Sequence, residues 1–118
     1  MPEETYELFE SARRLMEQGH NHQAATILTR ACEQEPEKAS LSETLAQALY
    51  RSGQVRRAAQ EFERTIQLDP ANHYAHFGLA LCEAKLGLRQ MALGHLKLAI
   101  AMSPSSTDYQ QALQRFEP

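Results

Sequence analysis

Pro36, Pro70 and Pro104 stand 34 residues apart, and so do Gly19, Gly53 and Gly87. Three further series keep the same register: Ala12, Ala46 and Ala80; Ala24, Ala58 and Ala92; and the larger apolar Leu28, Phe62 and Leu96. Five columns at one period mark an internal repeat. A repeat of this length belongs to a chain that stacks one supersecondary unit on the next, because a single unit cannot bury its own apolar face.

The punctuation dictates what the unit is. Each Gly follows one amphipathic stretch and precedes another, the place for a left-handed residue that closes a helix C-terminus. Each Pro falls where the second stretch ends, since it lacks an N–H and restricts the residue before it. The unit therefore reads helix, Gly turn, helix, Pro turn. Ala at two fixed positions lets the paired helices approach closely, and Leu28, Phe62 and Leu96 fill the space between them. Composition agrees: β-branched residues are scarce, while Ala, Leu, Gln, Glu and Arg, all good helix formers, dominate. The spacing predicts helices near 3–17, 21–34, 38–51, 55–68, 72–85 and 89–102. A shorter one is expected near 106–116, with Ser105 or Ser106 as its N-cap. In the first turn, Glu3 and Glu4 after Pro2 place negative charge at the positive end of the helix dipole. Connections of three or four residues make neighbouring helices antiparallel.

Several function classes are excluded or disfavoured by what the chain carries. Net charge is −3 and unevenly spread: residues 1–38 carry −4, residues 39–72 are balanced and residues 73–118 carry +1. No concentrated basic face exists for phosphates, so nucleic acid is not an expected partner. No apolar run approaches the roughly 20 residues of a membrane span, and acidic Met1-Pro2-Glu3-Glu4 is unlike a secretion signal. A cytoplasmic location and no membrane insertion are the expectations. Cys32 and Cys82 lie singly in apolar helical patterns, as small buried hydrophobes do. No phosphate-cradling loop, nucleophile elbow or zinc-protease helix occurs. His73 and His76 share a helix at i, i+3, but surface histidine is the ordinary outcome, and Glu33, Glu35 and Glu37 read as solvated charge at a helix end. The chain is expected to be no enzyme and to hold neither cofactor nor metal.

The 34-residue unit resembles the tetratricopeptide repeat (TPR), whose signature runs W-x2-L-G-x2-Y, then A-x3-F, then P. The middle unit reads Ser42-x2-Leu45-Ala46-x2-Leu49, Ala58-x3-Phe62, Pro70. The first reads Leu8-x2-Ser11-Ala12-x2-Leu15, Ala24-x3-Leu28, Pro36, and the third His76-x2-Leu79-Ala80-x2-Glu83, Ala92-x3-Leu96, Pro104. Ser42 and His76 stand where a large apolar residue leads, Ser11 where Leu does, and Glu83 where the aromatic does. Glu83 should be half buried, finding a partner or leaning to solvent.

The resemblance implies an all-α, right-handed superhelical solenoid: a single domain over 1–118 with repeats 5–38, 39–72 and 73–106 and a capping helix at about 106–116. In that cap Tyr109, Leu113 and Phe116 would face the third repeat, with Asp108, Gln111 and Arg115 in water. First helices would line a concave groove that binds a peptide or helix of another protein, making the chain an interaction module or scaffold. By the family's arrangement the groove residues are Tyr6, Phe9, Arg13 and Met16; Glu43, Thr44, Gln47 and Tyr50; and Tyr74, Phe77, Gly78 and Leu81. Aromatics suit an apolar anchor, and the Gln47 amide can meet a ligand backbone. The Lys/Asn/Arg set with which some TPR modules grip the C-terminal carboxylate of heat-shock chaperones is absent: Phe9, Arg13, Thr44, Tyr74 and Gly78 stand at the matching positions.

A second surface is a helical stripe, Met91, His95, Leu98 and Met102, where the preceding unit has Arg57, Glu61 and Arg64. Met102 is expected in the core between repeats and the others on the outer face. The alternative to groove binding is therefore a self-assembling protein, a homodimer through Met91, His95 and Leu98. A chaperone-like escort of a secretion substrate is a further reading by family resemblance.

Overall fold

The computed structural model describes residues 1–116, so the last two residues of the expected single domain lie outside the described residues. Among the described residues there are seven α-helices and no strand: α1 (Glu3–Glu17), α2 (Asn21–Gln34), α3 (Ala39–Arg51), α4 (Val55–Leu68), α5 (His73–Lys85), α6 (Arg89–Met102) and α7 (Thr107–Gln114). Each helix packs on those before and after it, giving an elongated all-α solenoid of 47 × 25 × 22 Å. Four boundaries differ slightly from expectation, the starts of α3 and α5 and both ends of α7. Helices α3 and α5 start one residue late because Lys38 and Asn72 are extended N-cap residues, and the Asn72 side chain accepts from the Ala75 N–H at 2.9 Å. Helix α7 stops at Gln114, where Arg115 and Phe116 form a closing turn. Its N-cap is Ser106.

The glycine columns behave as the physics requires. Gly19, Gly53 and Gly87 have φ of +83°, +85° and +80° and are the described residues with positive φ besides none of another type. At each, two bonds of a Schellman closure recur: Gly19 N–H to Met16 O at 3.0 Å and His20 N–H to Leu15 O at 2.8 Å in the first unit. The equivalent pairs are Gly53 to Tyr50 and Gln54 to Leu49, then Gly87 to Ala84 and Leu88 to Glu83. The turn sequence thus satisfies carbonyls that every helix end leaves open.

The alanine columns are buried to the last atom or nearly so, with Leu28, Phe62 and Leu96 between them. Truncating Phe62 would cost about 3–5 kcal/mol. Its ring occupies the space above Gly78, where any Cβ would collide with it. Two polar departures from the repeat pattern, Ser42 and Glu83, each find a side-chain partner. Ser42 and Thr65 are both buried and share a hydroxyl–hydroxyl bond of 2.8 Å. Glu83 is not half buried as expected but 3 % exposed, and it keeps its carboxylate there by bonding His95 Nδ1 at 2.7 Å. The core continues beyond this pair as a second cluster, in which α7 lays Tyr109 and Ala112 over Ala80, Leu96 and Ala99.

Candidate partner-binding groove

The first helix of every hairpin turns the same side to one face of the solenoid, and three adjoining hollows run along it. Between α1 and α3 lies a hollow of about 350 Å³ lined by Phe9, Arg13, Met16, Glu17, Thr44, Gln47 and Arg51. A shallow one of about 30 Å³ follows between α3 and α5, with Gln47, Tyr50, Arg51, Tyr74, Gly78 and Leu81 around the buried Phe62 ring. A third, about 340 Å³, is closed by α7 and lined by Tyr50, Leu81, Ala84, Lys85, Arg89, Ala112, Arg115 and Phe116. Most of the residues expected in the groove therefore meet there. Three do not. Tyr6 is 53 % exposed and lines none of these hollows. Phe77 stacks on Tyr109 with ring centroids 4.6 Å apart, so the capping helix covers it. Glu43 instead accepts from the Asn72 side chain.

Electrostatics give the groove its character. Arg13 lies over the Phe9 ring at 5.7 Å, Lys85 over Tyr50 at 5.3 Å and Arg89 over Phe116 at 5.2 Å, one cation–aromatic couple in the first hollow and two in the third. Arg13 also approaches Glu10 at 3.7 Å, but among the described residues no carboxylate comes within ion-pair distance of Arg51 or Lys85. Burial raises the Tyr74 phenol above its ordinary value, against the opposing pull of the Arg51 guanidinium. Tyr50 is raised for the same reason, helped by Cys82. Both hydroxyls therefore remain protonated donors at neutral pH.

Two family models of the tetratricopeptide repeat match, over residues 43–107 and 15–66. The chain belongs to the tetratricopeptide repeat family. A comparison with curated proteins finds no match. Among solved structures, the second TPR domain of human RPAP3 in complex with the HSP70 peptide SGPTIEEVD superposes with a TM-score of 0.92 at 16 % identity, covering 98 % of this chain and 96 % of that one. The Arabidopsis OM64 TPR domain gives 0.92 at 16 %, covering 96 % and 93 %, and the Sgt2 TPR domain from Aspergillus fumigatus 0.89 at 20 %, covering 98 % and 78 %. At these identities the likeness is one of fold.

On the outer side of this TPR chain, α6 leaves Met91 52 %, Leu98 46 % and Met102 42 % exposed, with Leu88 beside its first turn also exposed. Met102 is thus a surface residue rather than part of the core between repeats, and the cluster that α7 completes is built on Leu96, Ala99 and Ile100 instead. His95 corrects the expectation of an outward stripe. It turns inward, bonds Glu83 and stacks on His76 at 5.8 Å between centroids. His73 bonds the Tyr109 hydroxyl at 2.7 Å. Among the described residues no three of His, Cys, Asp and Glu come together to hold a metal, and no helix is long and apolar enough to cross a membrane. Cys32 and Cys82 are free thiols, pushed up to about 12 by burial and neighbouring carboxylates.

Sequence reasoning missed Arg51, Lys85, Arg89 and Arg115 as groove residues. The first two are the basic residues of a last helical turn, a placement that the helix dipole explains without any ligand. The signal that was available is their 34-residue spacing: residues 51 and 85 occupy one column, as Gly53 and Gly87 do.

Proposed function

We propose that this TPR chain is a protein–protein interaction module that holds a peptide or helix of a partner along α1, α3 and α5. The observation that carries the reading is the groove itself, where half-buried aromatics and exposed cations line hollows of about 350 and 340 Å³ on either side of a smaller one. Hollows of this size take one large side chain each, and a binding energy concentrated in a few such anchors is the ordinary economy of a peptide groove. One structure of like fold holds an HSP70 peptide. By the family's arrangement Phe9, Arg13, Thr44, Tyr74 and Gly78 stand at the positions that grip a carboxylate in chaperone-binding modules, and only Arg13 among them is cationic, so the partner is held by other means. The test pairs Phe9→Ala with Leu81→Ala, both lining residues outside the core columns. Partners recovered with the wild-type chain should bind the double variant at least tenfold more weakly, a loss of about 1.4 kcal/mol or more. Unchanged affinity with an intact circular-dichroism spectrum would eliminate the groove reading.

A second reading rests on the apolar outer side of α6. Met91, Leu98 and Met102 form a patch on which a second copy can pair. Light scattering of the wild type against Leu98→Glu decides between the two: a dimer that the charge dissociates supports self-assembly, and two monomers dismiss it.

A further inference from the structure

The hollow closed by α7 is unlike the rest of the groove. Its floor is apolar, from Leu81, Ala84 and Ala112, and its rim carries Lys85, Arg89 and Arg115. No carboxylate among the described residues lines it, although the chain as a whole carries net charge −3. Two aromatic rings, Tyr50 and Phe116, face it with a cation over each. Some of this charge has a structural use. Arg89 donates to the Phe116 carbonyl and so ties the end of α7 to the start of α6. Lys85 sits in the last turn of α5, where the helix dipole favours a cation. A half-charge dipole end does not neutralise three full cations, so the described residues make the hollow electropositive.

We propose that this hollow is the specificity pocket of the module and takes an acidic peptide segment, an aromatic or aliphatic side chain flanked by Asp or Glu. The inference rests on the groove reading above and names the partner's chemistry. The apolar residue enters the volume of about 340 Å³ over Leu81 and Ala112, while its acidic neighbours meet Lys85, Arg89 and Arg115 at the rim. Arg can hold a carboxylate with two parallel hydrogen bonds, and an aromatic anchor gains from stacking against Phe116. A polyphosphate strand fits less well. Along the groove the cations are interrupted by Glu17, and Arg13 already has Glu10 beside it, so phosphates have no continuous track.

The experiment pans a displayed library of random dodecapeptides on the full chain, on Phe9→Ala and on the Lys85→Glu, Arg115→Glu double variant, each checked for helicity. Peptides with acidic residues beside Phe, Trp or Leu should be enriched on the wild type and lost on the double variant. Fluorescence polarisation of one such peptide should then show about a tenfold weakening from about 0.05 M to about 0.5 M salt. Its all-Gln counterpart should bind at least about tenfold more weakly. Equal enrichment on the wild type and the double variant, enrichment of neutral or basic peptides, or none at all overturns the proposal. So does an oligodeoxythymidine that competes more strongly than the peptide. Peptides that survive the double variant but vanish on Phe9→Ala would sink this pocket while leaving the groove reading intact. Should charge reversal unfold the chain, Lys85→Gln with Arg115→Gln gives the same readout.

Discussion

Removing His95 should be far more damaging than its partly exposed position in the second helix of the last hairpin implies. Its Nδ1 lies 2.7 Å from Glu83 Oε1, and the Glu83 side chain is only 4 % accessible while that of His95 is 26 %. Taking away the hydrogen-bond partner of a buried polar group costs about 1–3 kcal/mol, and more for a charged one, because the group left behind is unsatisfied. In His95→Ala the vacated side of Glu83 opens toward solvent, which relieves part of that cost, and we expect a loss of about 2–3 kcal/mol. For a chain of this length the entropy of unfolding makes 1 kcal/mol worth about 4 °C, so the melting temperature should fall by about 8–12 °C. The stack of His76 on His95 disappears too, adding to the same sign. Replacing both members, Glu83→Leu with His95→Leu, removes the buried polar pair and should recover stability to within about 1 kcal/mol of the wild type or exceed it. Thermal melts followed by far-ultraviolet circular dichroism read both values. A His95→Ala chain melting within about 2 °C of wild type, or a double variant no better than the single one, refutes this account of the buried pair.

Other expectations follow from single positions. Gly94 lies inside α6 with nothing within 4 Å of where a Cβ would stand, so Gly94→Ala should stabilise the chain by about 0.5–1 kcal/mol in urea titrations. The same substitution at Gly53, whose φ is +85°, should cost about 1–2 kcal/mol, since a side chain strains that conformation. At Gly78 the new Cβ meets the Phe62 ring at close quarters, and Gly78→Ala should cost about 1–3 kcal/mol by overpacking the core. The thiol of Cys82 is fully buried and raised to about 12, so Ellman's reagent at pH 8 should leave it untouched until urea unfolds the chain. A folded-state thiol raised above its ordinary value of 9.0 favours the neutral form, so its contribution to stability is complete below pH 9 and is lost between pH 9 and about 12. Melting temperature measured against pH over that range should fall for the wild type and fall less for Cys82→Ala.

How much was legible in the sequence depends on which physical effect wrote each residue. The helices and their closures are recorded in the glycines and prolines, because backbone conformation leaves few substitutes at those places. Gly19, Gly53 and Gly87 adopt the left-handed geometry that their column implies. The polar core residues were harder. Ser42 reads as a weak substitute for a large apolar residue until Thr65, 23 residues away, is seen to accept or donate to its hydroxyl. The Glu83–His95 pair escaped for a related reason. Periodicity places His95 on a stripe with Met91 and Leu98, and a stripe has no way to record that one member is drawn inward by a charge on the neighbouring helix. Phe77 was placed in the groove by the repeat arrangement alone. The repeat has no column for α7, whose Tyr109 covers it.

The third unit departs most from its family's pattern, and it is also the one that builds the electropositive hollow. The two facts are connected through Glu83. Its carboxylate fastens α5 to α6 at His95, and its backbone carbonyl receives the Leu88 N–H at 2.8 Å, closing the turn at Gly87. Lys85 leaves α5 two residues after Glu83, and Arg89 begins α6 one residue after Leu88, so both rim cations hang from the hairpin that this one residue pins at two points. An aromatic in that column would fill the core equally well, but it would offer no bond to His95 across the hairpin. A buried carboxyl that is costly on its own is tolerated where a partner satisfies it, and the bond so made fixes how α5 lies on α6. In this protein the arrangement so fixed is the one that holds two cations against Tyr50 and Phe116 around an apolar floor.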